Sequence, residues 1–385
     1  MKANSQEIQQ FKSSPPALVV LDLGNSDLKG MLAGKPETET LLHHEIVFAA
    51  PAHFERMSKR AGLRNVEYEG AEFFRKLYKD KSETLIMVGE GVTANVRSNK
   101  LTGEAKYQEK YFDSLLAAML KRLLPNGHDN VWVALATPAD AIDYIDVIKS
   151  ITGGLHKIKT LDGQELKFRV TRLVMWEEPQ GGMIRFMKRN AEANGDKVNI
   201  EDGQRVIVVD IGGKISSMTV IGIGRRLEAT PLYAESPDPF NLGIIDVLEK
   251  LGKELKGLYP KEFQLFKTAG SIPSEILQSG IRKGKVQLSG TWFDVNQARL
   301  NALSNIADEL ERIYQNELSG GATAAHIIVT GGGGGLLLPA LRDEILNHSS
   351  IHAADEIKTI NFANLRGGSE AFLEWLAEMG FIDHA

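Results

Sequence analysis

Two stretches of this chain carry the same short pattern, and that repetition limits the fold more than any other feature. Residues 18–32 read LVVLDLGNSDLKGML, and residues 205–224 read RVIVVDIGGKISSMTVIGIG. Each begins with an apolar run that ends in an acid, Asp22 or Asp210. A glycine follows two residues later, Gly24 or Gly212, and then a second apolar run. The spacing predicts strand, tight polar turn, strand, which is a β-hairpin. Read alone, either stretch is an ordinary hairpin with aspartate as a turn residue. Occurring twice, the pattern predicts two similar half-domains facing one phosphate chain. Glycine turns let backbone N–H groups approach an anion closely. A carboxylate beside a phosphate needs a cation between them, and Mg²⁺ with its waters is the usual one.

A third stretch extends the pattern. Residues 326–346, HIIVTGGGGGLLLPALRDEIL, read as a strand, a glycine run and a helix with Pro339 near its start. Five consecutive glycines also suit a flexible linker, but linkers are rarely bracketed by Ile-Ile-Val and Leu-Leu-Leu.

Together the three pieces resemble the phosphate-1, phosphate-2 and adenosine motifs of the actin, sugar kinase and heat-shock chaperone ATPase superfamily. They occur in the superfamily's order and span nearly the whole chain. The resemblance implies an α/β chain with a two-lobed actin-like ATPase fold, each lobe a ribonuclease-H-like mixed sheet with flanking helices. It implies ATP, with GTP as the alternative, bound between the lobes. Asp22 and Asp210 would hold Mg²⁺ through water. Gly24, Asn25, Ser26 and Lys29 of the first hairpin would bind phosphates, as would Gly212, Gly213 and Lys214 of the second. Gly331, Gly332 and Gly333 would let the adenosine lie against the backbone. Lys29 follows Asp22 by seven residues and would fold back over the turn, where relatives place a phosphate-binding lysine; the plain alternative is a surface lysine on an edge strand.

The connector MWEEPQGGMIRFMKRN, residues 175–190, follows a strand and leads into a helix. In the superfamily an acid-Pro pair at this point orients the water that attacks the terminal phosphate. Glu178, directly before Pro179, matches best, and Glu177 is the alternative. The chemistry requires a carboxylate that accepts a water hydrogen bond in line with the γ-phosphate. Acids at a helix N-terminus are also favoured by the dipole alone.

Composition narrows the function classes. The 385 residues include no cysteine, which excludes disulfides, thiolate nucleophiles and Cys-ligated zinc. A formal net charge of −5 gives no electrostatic case for direct nucleic-acid binding. The polar start, MKANSQEIQQFKSSPP, lacks the apolar core of a signal peptide. No apolar run approaches the roughly 18–20 residues that span a membrane. A cytoplasmic protein is expected.

The expected organisation is a mobile or loosely docked arm over residues 1–16 and a first lobe over 17–185 with a small subdomain at about 46–110. A second lobe follows over 186–385, with a small subdomain at about 255–295. Periodicity predicts helices over 107–124, with Leu115, Leu116, Met119, Leu120 and Leu123 on one face, and over 294–315, with Leu300, Leu303, Ile306, Ala307 and Leu310. A C-terminal helix over 369–379 is expected to pack on the second lobe. Asp140, Asp143 and Asp146 at spacing three read as a solvated helix face rather than a metal site. Asp246 either approaches the nucleotide or compensates a helix dipole.

Within the superfamily, about 385 residues leave no room for a chaperone's substrate-binding domain. The segment KYQEKYFDSLLAAML and the spacing of the hairpins resemble ParM-type plasmid segregation actins and archaeal actin-like proteins. That resemblance implies an ATPase coupled to polymerisation of the chain with itself, plasmid or DNA segregation as the task, and a DNA-binding adaptor as partner. The alternatives from other classes are a small-metabolite kinase and a non-filamentous regulatory ATPase of the same fold.

Overall fold

The computed structural model describes residues 3–22, 27–43, 45–49, 71–77, 83–89, 99–100, 107–137, 144–193, 198–213, 216–224, 229–231, 242–266, 268, 272–319, 324–342 and 351–383. Gly24, Asn25, Ser26, Lys214, Asp140 and Asp143 lie outside them. The chain divides into two compact units, Met1–Glu178 with Gly368–Ala385, and Pro179–Gly367.

The first unit opens with helix α1 (Ser5–Ser13). Its strands are β1 (Ala17–Asp22), β2 (Asp27–Leu32), β3 (Lys35–His43), β4 (Glu45–Ala49), β5 (Ala71–Leu77), β6 (Glu83–Gly89), β7 (Asn99–Lys100), β8 (His128–Thr137), β9 (Gly154–Lys159) and β10 (Glu165–Glu177). Among the described residues they form one ten-stranded sheet in the order β3-β2-β1-β8-β10-β9-β5-β6-β4-β7. The described helices of this unit include α2 (Glu109–Leu123) and α3 (Ile145–Thr152). The period of two along a strand sorts the residues of β1. Val19 and Leu21 join Val133 and Leu135 in a core that α2 closes with Leu115, Leu116, Met119 and Leu120. Each of these leucines, removed from water, contributes about 1.5–3 kcal/mol. Val20 and Asp22 point to the opposite face, the face of Trp132.

In the second unit the strands are β11 (Arg205–Ile211), β12 (Ser216–Ile223), β13 (Ala229–Pro231), β14 (Lys285–Leu288), β15 (Thr291–Asp294), β16 (Ala324–Thr330) and β17 (Ile351–Ala353). The helices are α4 (Glu178–Glu192, in this unit from Pro179), α5 (Ile244–Leu258), α6 (Ser274–Lys283), α7 (Asn296–Ser319), α8 (Gly334–Leu341) and α9 (Ala363–Glu378), of which residues 363–367 belong to this unit and residues 368–378 to the first. The sheet runs β13-β12-β11-β16-β17, and β14 and β15 form a separate hairpin. Again the period of two divides the main strand. Ile207, Val209 and Ile211 face a core closed by α5, α6, α7 and α8. Val206 and Val208 face Met183 and Phe186 of α4 and Ala363 of α9. Asp210 shares the parity of Val206 and Val208 and lies on that second face.

The duplication seen in the sequence is a duplication of topology. β3-β2-β1-β8-β10 and β13-β12-β11-β16-β17 have the same order. In each, an antiparallel hairpin strand pair is followed by two strands parallel to the acid-tipped one.

Residues 5–13 of the expected arm form a helix with an Asn4–Glu7 capping box. Phe11 sits 5.2 Å from the Trp132 ring and 5.1 Å from the Phe381 ring. Arg172 lies 4.4 Å over Trp132 and donates to Glu7 at 3.2 Å. Aromatic contact and a charge-assisted bond therefore hold a helix that buries no residue fully. The C-terminal segment, expected on the second lobe, belongs to the first unit. Phe381 meets Trp132 at 5.0 Å, so this segment covers the sheet face that α2 leaves open.

Candidate functional site

Candidate residues from the sequence lie in both units. In the first, Asp22 is the last residue of β1, is 1 % exposed, and lies opposite Lys29 of β2. Across this antiparallel pair both side chains point to the same face, and Lys29 Nζ donates to Asp22 Oδ2 at 3.1 Å. Both groups are buried, so the ion pair sits where solvent screens it little. Lys29 is thus an inward cation and not a surface lysine. Trp176 of β10 and Asp22 of β1 are both in register with Ala136 of β8. Glu177 therefore lies one residue beyond the level of Asp22 on the second strand over, and Glu178 follows as the first residue of α4.

The two candidate glutamates differ in environment. Glu178 opens α4 and is 5 % exposed. Glu177 is the last residue of β10 and is half-buried; desolvation holds its carboxyl above the usual range.

In the second unit Asp210 is in register with Ser217 of β12 and Thr330 of β16. Ser217 occupies the place that Lys29 holds in the first hairpin, so among the described residues the buried lysine at this register position belongs to the first hairpin. The second glycine turn is tied to α5: Ile244 N–H donates to the Gly212 carbonyl at 3.1 Å, and Ile245 N–H to the Gly213 carbonyl at 2.9 Å. Asp246 accepts from Gly243 N–H at 2.9 Å and so caps α5.

The glycine run is a turn and not a linker. Gly331 follows β16 at φ +87°, in the left-handed region, and a Cβ there would overlap Asp210 Oδ1. Gly333 N–H donates to the Ile211 carbonyl at 2.7 Å. Gly332 is exposed, and a Cβ added to it would meet nothing within 4 Å. Gly334 then opens α8, whose Leu336, Leu337 and Leu338 are buried. Asp210, the Gly212–Gly213 turn, the Gly331–Gly333 turn and the start of α5 converge on one corner of the second unit.

One residue of this corner escapes sequence reasoning. Asn364, in the first turn of α9, donates through Nδ2 to Asp210 Oδ2, and its Oδ1 accepts from Thr330 Oγ1 at 3.1 Å. Asn364 is 1 % exposed. The signal that could have found it is indirect: Gly181-Gly182 and Gly367 are the glycines that let α4 and α9 touch. A Cβ on Gly181 would overlap the Asn364 backbone, one on Gly367 would overlap the Gly181 carbonyl, and one on Gly182 would press on Asn364 Oδ1.

A hard cation held through water suits this donor set, since Mg²⁺ keeps most of its waters and takes one or two carboxylates. Asp210 spends Oδ2 on Asn364 and turns Oδ1 toward the Gly331 backbone. No helix among the described residues is long and apolar enough to cross a membrane.

Neither a protein-family model nor a curated protein matches the sequence. Solved structures do match the fold. The archaeal actin homologue Ta0583 in complex with ADP aligns over 93% of this chain and 99% of its own, with TM-score 0.64 and 16% identity. A 15-stranded ParM filament from Clostridium botulinum aligns over 93% and 99%, with TM-score 0.66 and 16% identity. Bacillus thuringiensis ParM with ATP aligns over 94% and 99%, with TM-score 0.61 and 17% identity. Through near-complete alignment with all three, and through its own duplicated sheet topology, the chain is shown to have the actin-like fold.

Proposed function

We propose that this chain binds ATP with Mg²⁺, hydrolyses it to ADP and phosphate, and assembles with copies of itself in a nucleotide-dependent way. The observation that carries the reading is the repeated placement of a buried aspartate at the tip of β1 and of β11, each beside a parallel strand end. Support comes from structural neighbours described with ADP, with ATP and as a filament.

In this reading Asp22 and Asp210 hold the hydrated cation, which supplies neutralisation of phosphate charge when bound. Lys29 adds a second positive charge to the phosphates. The Gly212–Gly213 turn presents backbone amides to them, and Gly331–Gly333 accepts the adenosine at close backbone range. Glu178, buried at the start of α4, accepts a hydrogen bond from the attacking water and sets its line of approach. Catalysis then rests on positioning and fixed charge. Self-assembly would make this a cytomotive filament, with plasmid or DNA segregation through an adaptor as its task.

Light scattering and sedimentation over a protein-concentration series with Mg²⁺-ATP test the reading, with ADP and Asp210→Ala as controls. A rise above a critical concentration that needs ATP and Asp210 supports it. ATP turnover with no assembly at any concentration removes the filament, and absence of ATP binding removes the whole reading.

A further inference from the structure

His326 of β16 and His352 of β17 lie on neighbouring parallel strands, where Ile328 is in register with His352. His326 is therefore the diagonal neighbour of His352 on the same face. The rings are 5.0 Å apart at 56°, and His326 Nδ1 stands 3.0 Å from His352 Nε2. The other nitrogen of His326, Nε2, is 3.0 Å from the Asn199 carbonyl. A carbonyl only accepts, so Nε2 carries the proton and Nδ1 is the bare, lone-pair nitrogen. That lone pair faces His352 and accepts a hydrogen bond from its Nε2–H in the metal-free pair. Phe186 closes one side of His352 with ring centroids 5.8 Å apart, while both histidines remain partly open to solvent.

We infer that His326 and His352 form a two-histidine site for a transition-metal ion that takes ligands at right angles, such as Ni²⁺ or Cu²⁺. Two metal–nitrogen bonds of about 2.1 Å meeting near a right angle set their nitrogens about 3.0 Å apart, the spacing found here. A metal-bound histidine almost always donates its other N–H to a carbonyl or carboxylate, which fixes the ring. His326 already does so through Asn199. For the ion to bind, His352 moves its proton from Nε2 to Nδ1 and the two rings turn so that both lone pairs aim at one point, and both ligands then bind as neutral imidazoles. No group of three or more His, Cys, Asp or Glu side chains is placed to hold a metal among the described residues, so water completes the shell. Imidazole nitrogens with water suit Ni²⁺ and Cu²⁺ and are poor ligands for Mg²⁺. The bound ion would clamp β17 to β16, the strand that runs into Thr330 and the glycine turn. This site does not depend on nucleotide binding.

The test is isothermal titration of the untagged full chain with Ni²⁺, and separately with Cu²⁺, Zn²⁺ and Mg²⁺, without nucleotide. The expected result is one saturable Ni²⁺ site per chain, tighter for Cu²⁺ and undetectable for Mg²⁺. His326→Gln and His352→Gln keep a side-chain amide for hydrogen bonding and should each weaken Ni²⁺ binding at least about tenfold. His128→Gln should leave it unchanged. Circular dichroism confirms that each variant is folded. Absence of saturable Ni²⁺ binding in the wild type overturns the proposal, as does unchanged affinity in the folded His326→Gln/His352→Gln double variant.

Discussion

Asn364 binds Asp210 directly: its side-chain amide donates to one carboxylate oxygen while its own oxygen accepts from Thr330. The strand acid of the second unit is therefore oriented by a helix residue 154 positions later in the chain. Only one of its two oxygens is used by this bond.

Asn364→Ala leaves Asp210 and Thr330 buried with one hydrogen bond fewer each. The expected loss of stability is about 1–3 kcal/mol, read by urea denaturation. If Asp210 holds hydrated Mg²⁺, the half-saturating Mg²⁺ concentration for ATP turnover rises as well. An unchanged Mg²⁺ requirement at full saturation would leave Asn364 a purely structural residue.

Glu178→Gln keeps the size of the side chain and removes its ability to accept strongly from water. ATP affinity is expected to hold, while turnover falls about 10²–10⁴-fold. Glu177→Gln serves as the comparison. A larger loss at Glu177 would transfer the water-orienting role to that residue.

Gly331 and Gly332 separate backbone demand from mere flexibility. Gly331→Ala meets both a positive φ and Asp210, and should cost on the order of 2 kcal/mol or more. Gly332→Ala has open space and no positive φ, and should stay within about 0.5 kcal/mol. Thermal unfolding of the two variants side by side decides it, and equal effects would contradict the turn geometry.

The Lys76–Asp113–His156 cluster gives a prediction about charge burial in the first unit. Lys76 donates to Asp113 at 2.8 Å, and His156 Nδ1 is 3.1 Å from the same oxygen. Burial raises the Asp113 pKa, but the bonds from His156 and Lys76 outweigh it and hold the carboxyl below its usual range. Asp113→Ala strands Lys76, which is 5 % exposed, and should cost about 3–5 kcal/mol. The double variant Lys76→Met/Asp113→Leu should recover much of that loss in denaturant unfolding.

The histidine pair predicts a pH dependence for metal-free protein kept in chelator. Desolvation, then the neighbouring His326 and Arg342, lower His352 from 6.5 to about 4. The unfolded chain therefore binds a proton between these values that the folded chain does not. Stability from this group is complete above about 6.5 and is lost as pH falls toward 4. Partial exposure of the ring reduces the size of the effect. The unfolding temperature of wild type minus that of His352→Gln should shrink over this window, and a constant difference would contradict the burial of His352.

What the sequence made legible was local. An apolar run ending in Asp22 or Asp210 needs only its own period of two and a glycine to announce a hairpin, and both hairpins are present. The glycine run was legible as more than a linker because apolar runs flank it, but the sequence did not show that its last two glycines belong to α8. The helix of Leu115 to Leu123 displays its face every three to four residues. Asn364 has no such marker: one asparagine in an amphipathic stretch looks like any polar helix position until Asp210 is beside it. The destination of Phe381, just beyond the end of α9, was equally hidden, because an apolar C-terminal segment says that it is covered and not by what. Trp132, Phe11 and Arg172 supply that answer only in three dimensions.

The first unit is interrupted in the chain and the second is not. During synthesis every residue of the second unit exists before residues 368–385 are made. Trp132 and Phe11 must wait for Phe381, so one wall of the earlier-made sheet is added last. Multidomain chains ordinarily finish their domains from the N-terminus onward; here the order of completion is reversed. A chain ending at Gly367 would therefore carry every residue of the second unit and a first unit with its Trp132 face uncovered.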